Sequence, residues 1–179
     1  MIYIFLADGF EETEALVPWD ILLRGGYNVK TVGVTGEYVT GAHGMTVKSD
    51  ISLCDVDEAA GEMFILPGGM PGTTNLDENA AVKEFVMNAY NSGKIVGAIC
   101  AAPMVLGKLG ILKGKRATCF PGFEEYLEGA IVVREHSVKD SNVITSCGAG
   151  AAFHFGFMLL GALDSMKEKE VRKSMQYEL

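Results

Sequence analysis

Nitrogen and sulfur ligands are scarce in this chain: 179 residues contain four cysteines and three histidines. The cysteines (Cys54, Cys100, Cys119 and Cys147) are too widely spaced in sequence for a zinc knuckle, so no structural metal is expected. Cations are also in deficit, with 15 Lys and Arg against 23 Asp and Glu and a net charge of −8. A surface of that sign does not bind nucleic acid by releasing counterions, and nucleic acid is excluded as an expected partner. Long apolar runs are missing too. The longest tract, Ala151 to Leu163, carries His154 and two glycines and is shorter than the roughly 20 residues that span a bilayer, so it is expected as a core helix and no membrane association is expected. The opening residues Met1 to Asp8 lack a basic segment and are interrupted by Asp8, so they read as a strand and not as a signal peptide. A cytoplasmic setting follows as the expectation. There, scattered thiols stay reduced and matter for reactivity, not for cross-linking.

What the chain has is a globular composition, 49% hydrophobic and 21% charged, too apolar for disorder. Its length suits one domain over residues 1–179. Apolar β-rich runs at Ile2 to Leu6, Tyr27 to Val34, Met63 to Leu66, Ile95 to Ile99, Arg116 to Cys119 and Asn142 to Ser146 alternate with helical patterns. Near-continuous apolar strands fit a parallel sheet covered on both faces, with helices as crossovers. The class is α/β. One helix carries Leu16, Trp19, Leu22 and Leu23 and stops at Gly25-Gly26, with Pro18 inside it expected to cost a hydrogen bond. Another spans Asn79 to Asn91, and Lys167 to Lys173 reads as a solvated terminal helix. Gly36, Gly41 and Gly44 separate short runs at Tyr38 to Thr40 and Met45 to Val47, which predicts a small hairpin added to the sheet.

Three segments follow strands and open helices. In Gly97-Ala98-Ile99-Cys100-Ala101-Ala102-Pro103, small residues surround a thiol at a strand-to-helix elbow, with Pro103 tolerated in the first helical turn. A helix N-terminus there would favour a thiolate and lower the Cys100 pKa toward the roughly 3.5 to 7.5 range of reactive cysteines. The alternative is a buried thiol acting as a small hydrophobe. Pro67-Gly68-Gly69 offers unobstructed backbone N–H groups for an oxyanion hole, or a plain turn; it lacks the Lys and Ser/Thr of a phosphate loop. In Asp8-Gly9-Phe10-Glu11-Glu12-Thr13-Glu14 the first glutamates complement a helix dipole. Glu14, beside the strand edge where ligands bind, would be protonated if held next to a thiolate. A fourth segment, Cys147-Gly148-Ala149-Gly150, approaches a dinucleotide fingerprint but has Phe153 at the third glycine position and no later strand to carry a ribose-binding acid. No cofactor is implied. His154 is expected as a core histidine, and His43 and His136 fall in hairpin-like segments.

Ala7-Asp8-Gly9-Phe10-Glu11-Glu12-Thr13-Glu14, Leu66-Pro67-Gly68-Gly69, Ala98-Ile99-Cys100-Ala101-Ala102-Pro103 and Thr145-Ser146-Cys147-Gly148 together resemble the ThiJ/PfpI family in order and spacing, over nearly the whole chain, and most closely its deglycase branch. The resemblance implies a flavodoxin-like three-layer sandwich, mainly parallel, with helices on both faces and usually a homodimer. It pairs an elbow cysteine (Cys100) with a protonated glutamate (Glu14), and matches Gly69 and Ala101 to the backbone donors beside the thiol. The implied activity is cofactor-independent hydrolysis of small reactive carbonyls, aldehydes or early glycation adducts. Oxidative sensing or holdase activity through Cys100 is the alternative, followed by a peptidase or amidase. Three positions depart from the family pattern. Ala101 stands where the peptidase-like branch has a histidine. Ala130 stands where the deglycase branch has one, leaving His136 as a substitute. Cys147 replaces an arginine and puts a second thiol near Cys100.

Overall fold

The computed structural model describes residues 1–177. Its first half runs β1 (Ile2–Leu6), α1 (Glu12–Arg24), β2 (Val29–Gly33), β3 (Tyr38–Thr40), β4 (Thr46–Lys48), β5 (Ile51–Ser52), β6 (Met63–Leu66), α2 (Gly72–Glu78) and α3 (Ala80–Asn91). Its second half runs β7 (Ile95–Ile99), α4 (Pro103–Lys108), β8 (Arg116–Ala117), β9 (Ile131–Val132), β10 (Ser137–Asp140), β11 (Val143–Ser146), α5 (Ala152–Leu163) and α6 (Ser165–Ser174).

Seven strands form one sheet in the order β10-β11-β7-β6-β1-β2-β5, every neighbouring pair parallel except β10, which runs antiparallel to β11. The alternation of strand side chains divides the core into two halves. Ile2, Ile4 and Leu6 of β1 join Met63 and Ile65 of β6 under Ile21 and Leu22 of α1 and Phe155, Leu159 and Leu160 of α5. Tyr3, Phe5, Phe64 and Leu66 face the other way, against Val82 and Val86 of α3 and Val105 and Leu106 of α4. Helices therefore cover both faces, the flavodoxin-like sandwich that the resemblance implies. Among the described residues no helix is long and apolar enough to cross a membrane.

Two helices pack closely where side chains are smallest. Pro18, buried within α1, lies against Gly156 of α5, where a Cβ would stand 3.3 Å from Pro18 Cα and 2.6 Å from Ile21 Cδ1. At the far end of α1, a Cβ on Gly25 would stand 2.5 Å from Leu160 Cδ1. Asn79 caps α3 by accepting the Val82 N–H at 3.1 Å, and Asp164 caps α6 by accepting from Met166 and Lys167.

The sheet edges and small strands depart from expectation. Only Arg116–Ala117 of the run Arg116 to Cys119 is extended, and it pairs with β9 in a separate two-stranded sheet. The reason is local: the Thr118 N–H is taken by the Thr145 hydroxyl at 3.0 Å and not by a strand carbonyl. The hairpin β3–β4 likewise forms its own sheet. It is tied to the β1–α1 loop, with Gly9 N–H donating to Thr40 O, Ala42 N–H to Phe10 O and Thr40 N–H to the Asp8 carboxylate, each at 2.8 Å. The edge strand β5 is two residues long, and Asp50 before it accepts the Thr31 N–H at 2.8 Å. His154 is exposed, not in the core, because it lies on the outer side of the first turn of α5.

Gly97 of β7 shows how tightly the strand bearing Cys100 is held, since a Cβ there would stand 2.9 Å from Leu159 Cδ2 and 3.1 Å from Phe155 Cζ. Gly97→Val is expected to destabilise the fold by about 1–3 kcal/mol through overpacking, read as a lowered urea midpoint with an unchanged slope. A variant as stable as the wild type would show that α5 is not pressed on β7.

Candidate active site

The chain crosses from β1 to β2 on one side and returns to β6 on the other, so the sheet changes direction between β1 and β6. Ligands of open α/β sheets bind in the crevice at the carboxyl ends of strands at such a point. Three loops meet there. Glu11 N–H donates to Gly68 O at 2.9 Å, and the Asn75 side chain donates to Asp8 O at 2.8 Å. Gly69, at φ +89, has no room for a side chain, because its Cβ would stand 2.3 Å from Glu11 N. After β7 the chain turns at Cys100, whose φ of +64 is a left-handed conformation unusual for a residue with a Cβ. Backbone bonds on both sides hold that turn: Cys100 N–H donates to Ser146 O at 2.9 Å, and Phe120 N–H donates to Cys100 O at 2.8 Å. Pro103 occupies the first turn of α4, as the elbow reading expects.

Glu14, in the first turn of α1, is completely buried. Its Oε2 accepts the Gly68 N–H at 2.9 Å, and its Oε1 is buried without a nitrogen or oxygen partner. A Cβ at Gly68 would stand 2.6 Å from both Cys100 Cβ and Glu14 Oε2, so the thiol and the carboxyl flank this one glycine. Burial pushes the Glu14 carboxyl up to about 7; contact with the Cys100 thiol and the Gly68 N–H opposes the rise, and Glu11 adds to it. The thiol is pushed up as well, to about 12, by burial first and then by the charge of ionised Glu14 beside it, while the backbone N–H groups of Gly69 and Ala101 pull it down. When Glu14 holds the proton, the charge that disfavours a thiolate is gone.

Cys100, Glu14, Gly68, Gly69 and Ala101 are thus brought together, with two corrections. Gly68 is not free to hold an oxyanion, since its N–H is committed to Glu14, and the donors at the sulfur are Gly69 and Ala101. Nor is the Cys100 pKa lowered overall, because burial and the neighbouring carboxylate outweigh the pull of the Gly69 and Ala101 N–H groups.

Cys147 and His136 meet each other. Cys147 N–H donates to His136 O at 3.1 Å, and its Sγ lies 4.0 Å from His136 Nδ1. The His136 ring stacks on His154 at 5.0 Å, with the planes 7° apart. Both histidines, Cys119 and Cys147 line a cleft of about 880 Å³ whose walls do not include Cys100. Burial raises the Cys119 thiol to about 12. The roles of Cys119 and His154 as cleft walls were not readable, because β10, which carries His136 to the side of Cys147, shows no strand pattern in the sequence. Ala130 is half-buried and packs on the core. Glu11, Glu12 and His43 offer ligand atoms within 4.8 Å of one another, but Glu12 already accepts from the backbone and the ring of His43, both at 2.9 Å, and the group fastens the hairpin to α1.

The fold that carries this site is that of a recognised class. The DJ-1/PfpI family model matches residues 1–162, and the chain belongs to that family. The glutathione-independent glyoxalase DJR-1.2 of Caenorhabditis elegans is 35% identical over 162 residues, covering 86% of this chain and 83% of that protein. A deglycase of Pyrococcus abyssi is 32% identical over 148 residues, covering 81% of this chain and 88% of that protein. Protein DJ-1 homolog B of Arabidopsis thaliana is 35% identical over 176 residues, 97% of this chain, but the chain spans only 40% of that protein's length. A crystal structure of a DJ-1 superfamily protein from Salmonella typhimurium superposes with a TM-score of 0.94 at 32% identity, covering 99% of this chain and 98% of the other.

The raised carboxyl makes stability depend on pH. Below about 4.5 Glu14 is protonated whether the chain is folded or not; as pH rises through about 7, the unfolded chain ionises first and the fold loses stability. That loss is on the order of 3 kcal/mol. Glu14→Gln keeps an acceptor for the Gly68 N–H and is expected to remove it. Urea unfolding at pH 5 and pH 8 reads the difference: wild type and variant should diverge by about that amount, and parallel behaviour would contradict the raised pKa.

Proposed function

We propose that this chain is a cofactor-independent cysteine enzyme acting on small reactive carbonyls, with methylglyoxal as the simplest substrate. The observation that carries the proposal is the thiol and the fully buried carboxyl on either side of Gly68, with the proton of the carboxyl retained to about pH 7. The nematode glyoxalase and the archaeal deglycase among its relatives support it.

In this reading Glu14 takes the Cys100 proton as the sulfur adds to the aldehyde carbon, and the new oxyanion is held by the Gly69 and Ala101 N–H groups. Glu14 returns its proton to that oxygen, giving a hemithioacetal. The ionised carboxylate then removes the proton on the former aldehyde carbon, the hydroxyl proton passes to the neighbouring ketone oxygen through an enediol, and Glu14 delivers its proton to the adjacent carbon, leaving a 2-hydroxyacyl thioester on Cys100. Water cleaves the thioester, releases lactate and restores the thiol, so the sum is methylglyoxal plus water to lactate. An early glycation adduct enters by the same addition at its carbonyl. The family's usual homodimer belongs to the same proposal, and Met45 of the hairpin and Phe153 of α5, 52% and 41% exposed, are the apolar surface it would cover.

A second reading makes Cys100 a peroxide sensor, with or without holdase activity. The unpartnered Glu14 Oε1 favours it, since a protonated carboxyl there would donate to a sulfinate oxygen. Peptidase or amidase activity has less support, because Ala101 follows the nucleophile directly and His136 pairs with Cys147.

Glutathione-free conversion of methylglyoxal to lactate tests the proposal. Cys100→Ala is expected to abolish it, and Glu14→Gln to lower kcat/KM by about 10²–10⁴-fold, the scale of a lost general acid–base group. Wild type without turnover, or turnover surviving in Cys100→Ala, would overturn the enzyme reading; ready peroxide oxidation without turnover would leave the sensor.

A further inference from the structure

The β7–β11 register extends one residue past both strands. Ile99 lies opposite Ser146, and the Cys100 N–H donates to Ser146 O at 2.9 Å, so residues 100 and 147 stand side by side across the ladder. Neighbouring strands lie about 4.8 Å apart, within the roughly 4.4–6.8 Å that separates the Cα atoms of a disulfide. Cys147 is half-buried in the cleft wall, its sulfur 4.0 Å from His136 Nδ1, and the His136 ring is held by its stack on His154. Burial raises the Cys147 thiol, and the charge of Glu14 adds to the rise. Of the other two thiols, Cys119 shares the cleft wall with Cys147 and feels its charge, so it is the competing partner that the peptide map distinguishes. Cys119 is buried, and Cys54 follows β5 at the opposite edge of the sheet, where its thiol contacts the Ser52 hydroxyl.

We propose that Cys147 is the resolving thiol of Cys100, with His136 as its base: once a hydroperoxide has oxidised Cys100, Cys147 closes an intramolecular disulfide with it. This rests on reading Cys100 as the reactive thiol. In the first step the Cys100 thiolate attacks a peroxide oxygen. The S–O bond forms as the O–O bond breaks, and the alcohol or water leaves with the Glu14 proton, giving a sulfenic acid. In the second, Cys147 gives its proton to His136 and its thiolate attacks the Cys100 sulfur. The S–S bond forms, the S–O bond breaks, and hydroxide leaves as water with the proton from His136. Two electrons pass from the two thiols to the peroxide. A dithiol reductant reaching Cys147 through the cleft of about 880 Å³ restores both. Without Cys147 the sulfenic acid is exposed to a second oxidation to sulfinate, which thiols do not reverse.

The test treats the reduced protein at neutral pH with a small excess of hydrogen peroxide, blocks free thiols with iodoacetamide and maps tryptic peptides without reduction by mass spectrometry. The expected product joins the peptide carrying Cys100 to the one carrying Cys147 and is reversed by dithiothreitol. In Cys147→Ser, Cys100 should run on to sulfinate. In His136→Gln, cross-linking should slow about tenfold at pH 7, and the deficit should close as the pH rises and the thiol ionises unaided. Sulfinate on wild-type Cys100 with Cys147 alkylated would overturn the resolving role and leave the reading of Cys100 intact, as would a link between Cys147 and Cys119. A Cys100 that neither oxidises nor alkylates would overturn both. The wild type alone decides, so the outcome does not depend on a variant folding.

Discussion

A carboxyl group withdrawn from water at the carboxyl edge of a parallel sheet is the constraint on which the rest of the site depends. Glu14 is buried with one oxygen on the Gly68 N–H and the other facing no nitrogen or oxygen. Ionising it there is costly, and its proton is retained to about pH 7. Everything around it serves that placement. The glycine at 68 must lack a side chain so that the thiol and the carboxyl can both approach it. The loop after β6 must be hydrogen-bonded to the start of α1 so that the peptide N–H is aimed at the carboxyl. The turn at Cys100 must be strained so that its thiol leaves the strand direction, and bonds to Ser146 and Phe120 supply the restraint. The proposed carbonyl chemistry needs a thiol that can lose its proton without a cation nearby, and a neutral acid as neighbour is one solution.

Two thiols then have opposite settings. Cys100 meets a carboxyl in the crevice, while Cys147, at the same level on the next strand, meets an imidazole in the adjoining cleft. The first arrangement suits proton exchange during addition to a carbonyl; the second suits generating a thiolate when the first sulfur has become an electrophile. The sheet supplies both through one register, because a parallel pair of strands delivers its next residues to neighbouring positions.

The central strands were legible because both faces are covered: runs such as Met63 to Leu66 and Ile95 to Ile99 have no polar residue to break them, and their bounds agree with the sequence reading. The elbow was legible for a steric reason, since only small residues around Cys100 allow other loops so near. Other features left no such trace. β9 is two exposed residues, Ile131 and Val132, and β10 pairs only by its edge, so neither carries a period. The direction of the Gly68 N–H was unreadable because residue type does not say which way a peptide faces. The coupling of Glu14 to Cys100 depends on a carboxyl and a thiol 86 positions apart, and on burial that only the folded sheet creates.

Open sheets expose a row of unpaired peptide groups on their outermost strands, a ready template for growth by other chains. Here one border is a strand of only two residues, and the peptide N–H of Thr31 in the strand beneath it is occupied by the Asp50 carboxylate. The opposite border carries Lys139 and Asp140, and the Asp140 carboxylate accepts the Arg116 N–H at 3.0 Å. Neither border offers a long apolar rail. A sheet with so continuous a core could otherwise seed cross-β stacking, and these two modest edges make the fold poor at recruiting copies of itself into aggregates.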